Sequence, residues 1–220
     1  MSAATIELRI LREEYLQEAK EILVDGFCDR NPIHKCLNES REAFGAMLSE
    51  NFVRQCAGDG LSVVAVDTAN GGKIAGVSLV SLTSYSIPEE IQTQPYKVYK
   101  KMANQLRSIA ASLVTDKFQS QRSAGLELVA VCEEHSQRGI CSNMIKKQIE
   151  ILKERNIQLL VGDFTNEYSR KAALKLGFEM VASVKYADFE YEGQKPFLSI
   201  AIAIAEEHKQ VSLGLLKVDI

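Results

Sequence analysis

Residues 126–142 read LELVAVCEEHSQRGICS, and they join a strand, a short polar turn and the start of a helix. The aliphatic residues at 126–131 predict a strand. Apolar residues then recur at helical spacing over 139–155, which predicts a helix with one inward face. N–H groups without a partner at such a turn, and in the first turn of the helix, can bind an anion such as phosphate.

This turn differs from the common nucleotide-binding loops. It has neither the G-K-[ST] of a P-loop nor the G-x-G-x-x-G of a dinucleotide fold. On these residues alone, a phosphate site and an ordinary strand-to-helix turn are equally good interpretations. Cys141 lies where a helix N-terminus lowers the pKa of a thiol. A reactive thiol and a packed small side chain are therefore both open for it.

The rest of the chain predicts an α/β fold with a mixed sheet of about seven strands, flanked by helices. Besides 126–131, strands are predicted at 5–12, 61–66, 73–82, 157–161, 180–191 and 197–205. Besides 139–155, helices are predicted at 41–56, 88–118 and 166–176. A first helix is predicted from residue 15 to near Asn31-Pro32, because the residue before a proline disfavours the α conformation. Asn70-Gly71-Gly72 is a hairpin turn, and such connections make the sheet mixed. Residues 206–220 have no clear pattern.

Size and composition indicate one globular domain over residues 1–220. Apolar residues make up 46% of the 220 residues and charged residues 25%, which is enough for a hydrophobic core. The formal net charge of -3 argues against a nucleic-acid-binding surface spread over the domain.

Cysteine and histidine usage predicts a cytoplasmic protein without a metal. The five cysteines form no C-x-x-C pair, which is typical of a reducing compartment. No secretory h-region is visible, and the longest apolar run, 198–205, is too short to span a bilayer. His34, His135 and His208 are not spaced as metal ligands.

The turn resembles the [QR]-x-x-G-x-[GA] motif of the GNAT superfamily, which holds the pyrophosphate of acetyl-CoA. Ser136, Gly139 and Cys141 occupy its three defined positions, and Gly139 alone matches. Residues 166–178, NEYSRKAALKLGF, are similar to the N-x-x-[SA]-x-x-x-x-x-K-L-G-F helix and exit of the same superfamily. The resemblance implies a splayed GNAT sheet and acetyl-CoA as co-substrate.

A narrower resemblance is to the insect-type arylalkylamine N-acetyltransferases. It rests on DGFCDRNPI at 25–33, on Tyr168-Ser169, on YADF at 186–189 and on a long insertion at 84–123. The resemblance implies a small-molecule amine as the acceptor. The net charge and the short apolar runs described above predict no nucleic-acid and no membrane partner. It leaves the oligomeric state open.

The resemblance also implies which residues hold acetyl-CoA. In this fold the strand that ends near Val131 offers N–H groups to the thioester carbonyl and the pantetheine arm, and the following turn holds the phosphates. The implied acetyl-CoA contacts are Val129, Ala130, Val131, Ser136, Gln137, Arg138, Gly139, Ile140, Cys141, Ser142, Asn166 and Ser169.

The general base is an open question. An alkylammonium must lose a proton before its nitrogen can attack. The arylalkylamine enzymes have a Glu directly before the Pro of the first loop, but here Asn31 stands there, and an amide is no base. Asp29 could act through a water, and strand alternation predicts that Glu127 shares a face with Val129 and Val131. A solvated carboxylate is the alternative for both.

The general acid is equally open. Many family members carry a Tyr on the last helix, where this chain has Ala173. The insect-type enzymes are thought to use serines flanking the Tyr at the helix start. Ser169 matches one of them and Thr165 offers a hydroxyl at the other, although a helix cap is the alternative for Thr165.

The leading interpretation is an acetyl-CoA-dependent N-acetyltransferase that acts on a primary amine, either an arylalkylamine or a polyamine. Residues expected to line the acceptor pocket are Phe27, Asn31, Pro32, Ile33 and Tyr186. A protein or peptide N-acetyltransferase is one alternative. A catalytically degraded acetyl-CoA-binding or scaffold protein is another, because Asn31, Ser136, Cys141 and Ala173 depart from the family pattern.

Overall fold

A computed structural model describes residues 5–48, 50–82, 87–118, 122–203 and 209–219. Its centre is a seven-stranded sheet with the strand order β1-β2-β3-β4-β5-β7-β6. The strands are β1 Ile6–Ile10, β2 Val63–Asp67, β3 Lys73–Ser81, β4 Ser123–Val131, β5 Leu159–Phe164, β6 Glu179–Lys185 and β7 Gln210–Lys217. Only β4 and β5 run parallel. The predicted mixed α/β fold is confirmed.

Helices cover both faces of this sheet. They are α1 Leu16–Arg30, α2 Pro32–Cys36, α3 Arg41–Met47, α4 Glu50–Gly58, α5 Gln94–Phe118, α6 Ile140–Glu154, α7 Glu167–Lys175 and α8 Leu198–Ala203. Helices α1, α3 and α4 pack against β2 and β3 on one face, and α6 and α7 cover the other face. Helix α5 packs over β6 and β7. In the described part of the chain, no helix is both long and apolar enough to cross a membrane.

The first connection differs from the prediction in two places. Helix α1 ends at Arg30, as expected before Asn31-Pro32, but the chain then forms the short helix α2, which the sequence reasoning missed. The single helix predicted at 41–56 is two helices, α3 and α4. The break is at Leu48, which leaves the helical conformation with ψ 50° and is 2% exposed.

The strand predicted at 197–205 is wrong. The chain forms α8 there, after Phe197, whose buried ring packs against Tyr186 and Phe189. Residues 204–205 of that prediction lie outside the described residues. The seventh strand is instead β7, in the segment without a clear pattern, and it is inserted between β5 and β6. Short apolar runs do not distinguish a strand from a buried helix by periodicity alone.

Glycine at position 26 lets α1 lie directly on β4. A Cβ atom there would be 2.8 Å from the Cβ of Ala130, which is closer than two carbon atoms can approach. Gly45 in α3 is a matched contrast, because a Cβ atom there would be 3.6 Å from its nearest neighbour, Val24. Alanine substitutions at these two glycines therefore distinguish the effect of close packing from the effect of helix propensity.

We expect Gly26→Ala to destabilise the protein by about 1–3 kcal/mol through overpacking. Gly45→Ala should stabilise it by about 0.5–1 kcal/mol, because alanine is the better helix former. Urea unfolding followed by circular dichroism measures both. Equal stabilisation by the two substitutions would show that α1 does not need Gly26 in order to reach β4.

Candidate active site

The central feature of the sheet is a gap between β4 and β5. These strands pair from Ser123 opposite Leu159 to Leu126 opposite Gly162, and beyond that pair they separate. The N–H of Cys132 bonds to Ala75 of β3 at 2.8 Å. Because successive N–H groups of a strand point to opposite edges, those of Val129 and Val131 point into the gap. The predicted splayed sheet is confirmed.

A cavity of about 940 Å³ passes through this gap from one face of the sheet to the other. On the α6 face its walls include Val129, Val131, Cys141, Ile145, Phe164, Tyr168, Ser169 and Ala172. On the α5 face they include Phe27, Ile33, His34, Phe44, Met47, Phe52, Ser81, Tyr96, Tyr99, Arg107, Glu127 and Asp163. The α6 side is an apolar slot beside free strand amides, and the α5 side combines aromatic rings with carboxylates.

A β-bulge decides where Glu127 points. Leu79 lies opposite Leu128 and Val80 lies opposite Leu126, so Glu127 is an extra residue in β4. The prediction that Glu127 shares a face with Val129 and Val131 is therefore wrong, because the bulge interrupts the alternation. Val129 and Val131 pack with the α6 cluster, whereas Glu127 turns to the α5 side and accepts a hydrogen bond from Ser81 Oγ at 2.6 Å.

The environment of Glu127 favours its neutral form. The cavity exposes the side chain to water, but the surrounding walls remove much of its hydration and raise the pKa of Glu127 above its ordinary value. The Ser81 hydrogen bond and the charge of Arg107 lower this pKa, and the charge of Asp163 raises it. A carboxylate with a raised pKa inside a cavity is a suitable general base.

Asp163 of β5 lies on the same side of the sheet and was missed by the sequence reasoning. Its Oδ2 accepts a hydrogen bond from the Tyr99 hydroxyl at 3.0 Å and lies 3.4 Å from Arg107 Nη1. Burial raises the pKa of Asp163, and Arg107 and Tyr99 lower it. A charged residue near the end of the apolar strand Leu159–Phe164 was the available signal.

The turn before α6 has the geometry of an anion site. Gln137 and Gly139 adopt left-handed conformations with φ 59° and φ 75°. The N–H groups of Ile140, Cys141 and Ser142 lie in the first helical turn, where no acceptor inside the helix exists. The Ser136 hydroxyl bonds back to Cys132, and Arg138 Nη1 lies 2.8 Å from Nδ1 of the buried His135. Backbone amides are thus the main groups that this turn can offer to phosphate.

Cys141 is not an activated thiol. Burial raises its pKa to about 11, which opposes the lowering expected at a helix N-terminus. The expectation of a lowered pKa is therefore wrong, and the thiol is protonated near neutral pH. Cys141 is a packed side chain in the wall of the cavity.

Asn31 and Thr165 connect the two sides of the cavity. Asn31 Oδ1 caps α2 by accepting from the Ile33 N–H at 2.9 Å, and its Nδ2 donates to Thr165 Oγ1 at 3.0 Å. The cap of α7 is Asn166 and not Thr165, because Asn166 Oδ1 accepts from the Ser169 N–H. The helix-cap alternative for Thr165 is therefore wrong. Ser169 Oγ donates to the Asn166 carbonyl at 2.9 Å.

Nine of the predicted site residues are not among those that line the cavity. Asp29, Pro32 and Tyr186 are three of them, and the other six lie in the turn before α6 and in its first helical turn: Ser136, Gln137, Arg138, Gly139, Ile140 and Ser142. Asp29 is exposed and pairs with Arg41 at 2.7 Å, outside the cavity. Tyr186 is fully buried and its hydroxyl donates to the Thr165 carbonyl, so it stabilises the backbone directly after β5 without lining the cavity. The part of the chain that the structure describes contains no group of three potential metal ligands.

We expect Asn31→Ala to cost about 2 kcal/mol of stability, because it removes a buried helix cap together with the bond to Thr165. Ser40→Ala is the matched control. Ser40 caps α3 from an exposed position, and its side chain makes only the cap bond to Ala43 among the hydrogen bonds described, so the loss of that side chain should cost about 1 kcal/mol. Thermal melting measures the stability of both variants. Equal losses of stability would argue against a stabilising hydrogen bond between Asn31 and Thr165.

Comparison with known proteins gives the fold. No family model matches the chain. Arylalkylamine N-acetyltransferase 2 from Aedes aegypti superposes with a TM-score of 0.78 at 20% identity, covering 98% of this chain and 100% of that one. A polyamine N-acetyltransferase from Drosophila melanogaster, which forms N-acetylagmatine, gives 0.73 at 16% identity over 97% and 100%. The C-terminal condensation domain of Ebony, solved with beta-alanyl-dopamine, gives 0.80 at 15% identity over 98% and 100%. The chain has the GNAT fold, and the resemblance seen in its sequence is confirmed at the level of the fold.

Proposed function

We propose that the protein is an acetyl-CoA-dependent N-acetyltransferase whose acceptor is a primary amine of a small molecule, either an arylalkylamine or a polyamine. The observation that carries the proposal is the cavity through the β4–β5 gap, with free strand amides on one side and carboxylates on the other. The neighbours that share the fold include enzymes named for arylalkylamines and for agmatine.

The α6 side fits the acyl donor. Amides of Gln137 to Ser142 would hold the pyrophosphate, because a helix N-terminus and a left-handed turn concentrate N–H groups at one point. The pantetheine arm would lie along β4, where the N–H groups of Val129 and Val131 can bond to its amides and to the thioester carbonyl. Asn166 and Ser169 line the opposite wall of the slot.

The α5 side fits the acceptor. Phe27, Phe44, Phe52 and Tyr96 supply an apolar wall for a ring or an alkyl chain. Glu127 lies at the polar end of this compartment, where β4 and β5 separate. An amine whose apolar part occupies the aromatic wall would therefore present its nitrogen to a carboxylate beside the gap.

Glu127 is the proposed general base. It takes one proton from the ammonium, and the electron pair of the broken N–H bond stays on nitrogen. That nitrogen attacks the thioester carbon, so that a C–N bond forms, and the C–S bond breaks when the tetrahedral intermediate collapses. The second amine proton passes to the departing thiolate. The Thr165 hydroxyl is the proposed relay for it, because its oxygen accepts from Asn31 and its hydrogen can be donated.

Asp29 is the weaker candidate for the base. Its carboxylate pairs with Arg41 at the protein surface, and it is not among the residues that line the cavity. Ser169 is a weaker candidate for the proton relay, because its hydroxyl already donates its proton to the Asn166 carbonyl. Contact with the acyl donor is the role that we propose for it. The two proposed proton-transfer groups are thus Glu127, on β4, and Thr165, directly after the end of β5.

We expect Glu127→Gln to reduce kcat about 10²- to 10⁴-fold, the usual contribution of a general base, while acetyl-CoA binding is retained. Release of CoA from acetyl-CoA with phenethylamine, tryptamine and agmatine measures turnover, and calorimetry measures acetyl-CoA binding. Asp29→Asn is the comparison, with turnover close to wild type. Unchanged turnover in Glu127→Gln would remove Glu127 from the mechanism. Acetyl-CoA binding without turnover on any amine would support a degraded enzyme or a scaffold instead.

Ser81→Ala should move the acid limb of the kcat/KM profile to higher pH. The base must be ionised to act, and the Ser81 hydrogen bond lowers the pKa of Glu127, so its loss raises that pKa. Arg107, Asp163 and Tyr96 also face Glu127 and stay in place in this variant. Ser183→Ala, which removes a hydroxyl paired with Ser212 on β6 and β7, is the control. A shift to lower pH would contradict the assignment of Glu127.

A further inference from the structure

Two carboxylates come directly after the last paired residues of β4 and β5, at the point where the sheet opens. Leu126 and Gly162 are the last paired residues of β4 and β5, and Glu127 and Asp163 follow them directly. Both side chains are on the α5 side, where Glu127 bonds to Ser81 and Asp163 bonds to Tyr99. The bulge at Glu127 is what brings it to the same side as Asp163.

The two carboxylate oxygens of Asp163 differ in their hydrogen bonding to the described residues. Its side chain is 7% exposed, and it is part of the cavity wall. Oδ2 has Tyr99 and Arg107 as partners, whereas Oδ1 is buried and accepts no hydrogen bond from the described residues. A buried carboxylate oxygen without a donor is costly, and such groups normally have a partner. Asp163 itself belongs to the cavity wall, so a ligand in the cavity can become the donor when a small rotation of the side chain brings Oδ1 to the cavity surface.

The charges in this cluster indicate what kind of donor. Arg107 is the cation beside Asp163, and its side chain is 56% exposed, which weakens its effect through solvent screening. Glu127, Asp163 and Arg107 together leave one negative charge when both acids are ionised. Two further cations of the cavity wall have other partners, since Arg30 bonds to the Val131 carbonyl and Lys100 lies over the Tyr96 ring. A ligand group that carries a positive charge and several N–H donors would complete the cluster, and an alkylammonium has three such donors.

We propose that Asp163 is a binding residue for the acceptor, which it holds as an ammonium ion once Oδ1 has turned to the cavity, on the side of the sheet where Glu127 lies. This inference rests on the proposed function, because only an acetyltransferase would have an acceptor amine. Its test measures amine binding alone and does not require acetyl transfer. Asp163 keeps one N–H bond of the ammonium in place while Glu127 removes another proton. The pair therefore selects acceptors that are cationic when they enter, such as alkylamines, over neutral isosteres and weakly basic arylamines.

Binding in the absence of acetyl-CoA tests this directly. Calorimetry with the full chain compares phenethylamine with its neutral isostere 2-phenylethanol, and 1,4-diaminobutane with 1,4-butanediol. For the wild type, at least one amine should bind ten or more times more tightly than its alcohol. Asp163→Asn should remove that preference by weakening the amine at least tenfold, with the alcohol unchanged. Asp188→Asn, an exposed Asp in the turn after β6, is the matched charge control and should behave as wild type.

Several outcomes overturn the inference. These are a wild type without preference for either amine, an Asp163→Asn variant with undiminished preference, or an equal loss of amine and alcohol in a variant that melts as wild type does. If Asp163→Asn does not fold, Asp163→Ser, with a smaller neutral side chain, carries the same comparison. A failure of the proposed function would be distinguishable from a failure of this inference. A protein that binds amines through Asp163 but releases no CoA from acetyl-CoA would support the role of Asp163 and contradict the proposed acetyltransferase activity.

Discussion

The separation of β4 from β5 beyond Leu126 and Gly162 is the constraint on which the rest of this structure depends. Two strands that part in the middle of a sheet leave backbone groups without their ladder partners, and buried groups of this kind need others. The Val131 carbonyl has one, since Arg30 Nη2 reaches it at 2.6 Å from the end of α1. That reach requires α1 to lie directly on β4, which the missing side chain of Gly26 permits. The N–H groups on the same edge face the cavity, and the proposed acyl donor is the ligand that would satisfy them.

One inserted residue then decides the chemistry of each side of the gap. Without the bulge, Glu127 would alternate with Val129 and Val131 and would stand on the α6 side, among the residues proposed to hold the pantetheine arm. With the bulge, the α6 side keeps its apolar walls, and the carboxylate joins Asp163 on the α5 side. The two carboxylates thereby stand on the side of the sheet proposed for the acceptor and not on the side proposed for the acyl donor.

Local patterns in the sequence were enough to predict six of the seven strands, the turn before α6 and the glycine exit of α7. They failed where the outcome depends on partners far along the chain. Strand β7 pairs with β5 on one edge and with β6 on the other, and its own sequence does not predict this pairing. The apolar residues before it, which were predicted as a strand, form α8. The site shows the same division. The amides of the turn follow from a local motif, whereas the side on which Glu127 stands depends on β3, and Asp163 becomes a candidate only when Tyr99 of α5 lies beside it.

Asn31 shows why a motif position can lose one role and keep another. The residue before the proline of the first loop is a glutamate in the arylalkylamine enzymes that this chain resembles, and here its amide caps α2 and bonds to Thr165. Both contacts are structural, and the cap is one that an uncharged amide makes well. A base is then needed elsewhere, and the carboxylates beside the gap are both held in conditions that favour the neutral form, at a cost in folding free energy. A cationic ligand beside Glu127 and Asp163 would stabilise their ionised forms. The presence of two acids beside an aromatic wall is therefore best explained by a ligand that brings the compensating positive charge.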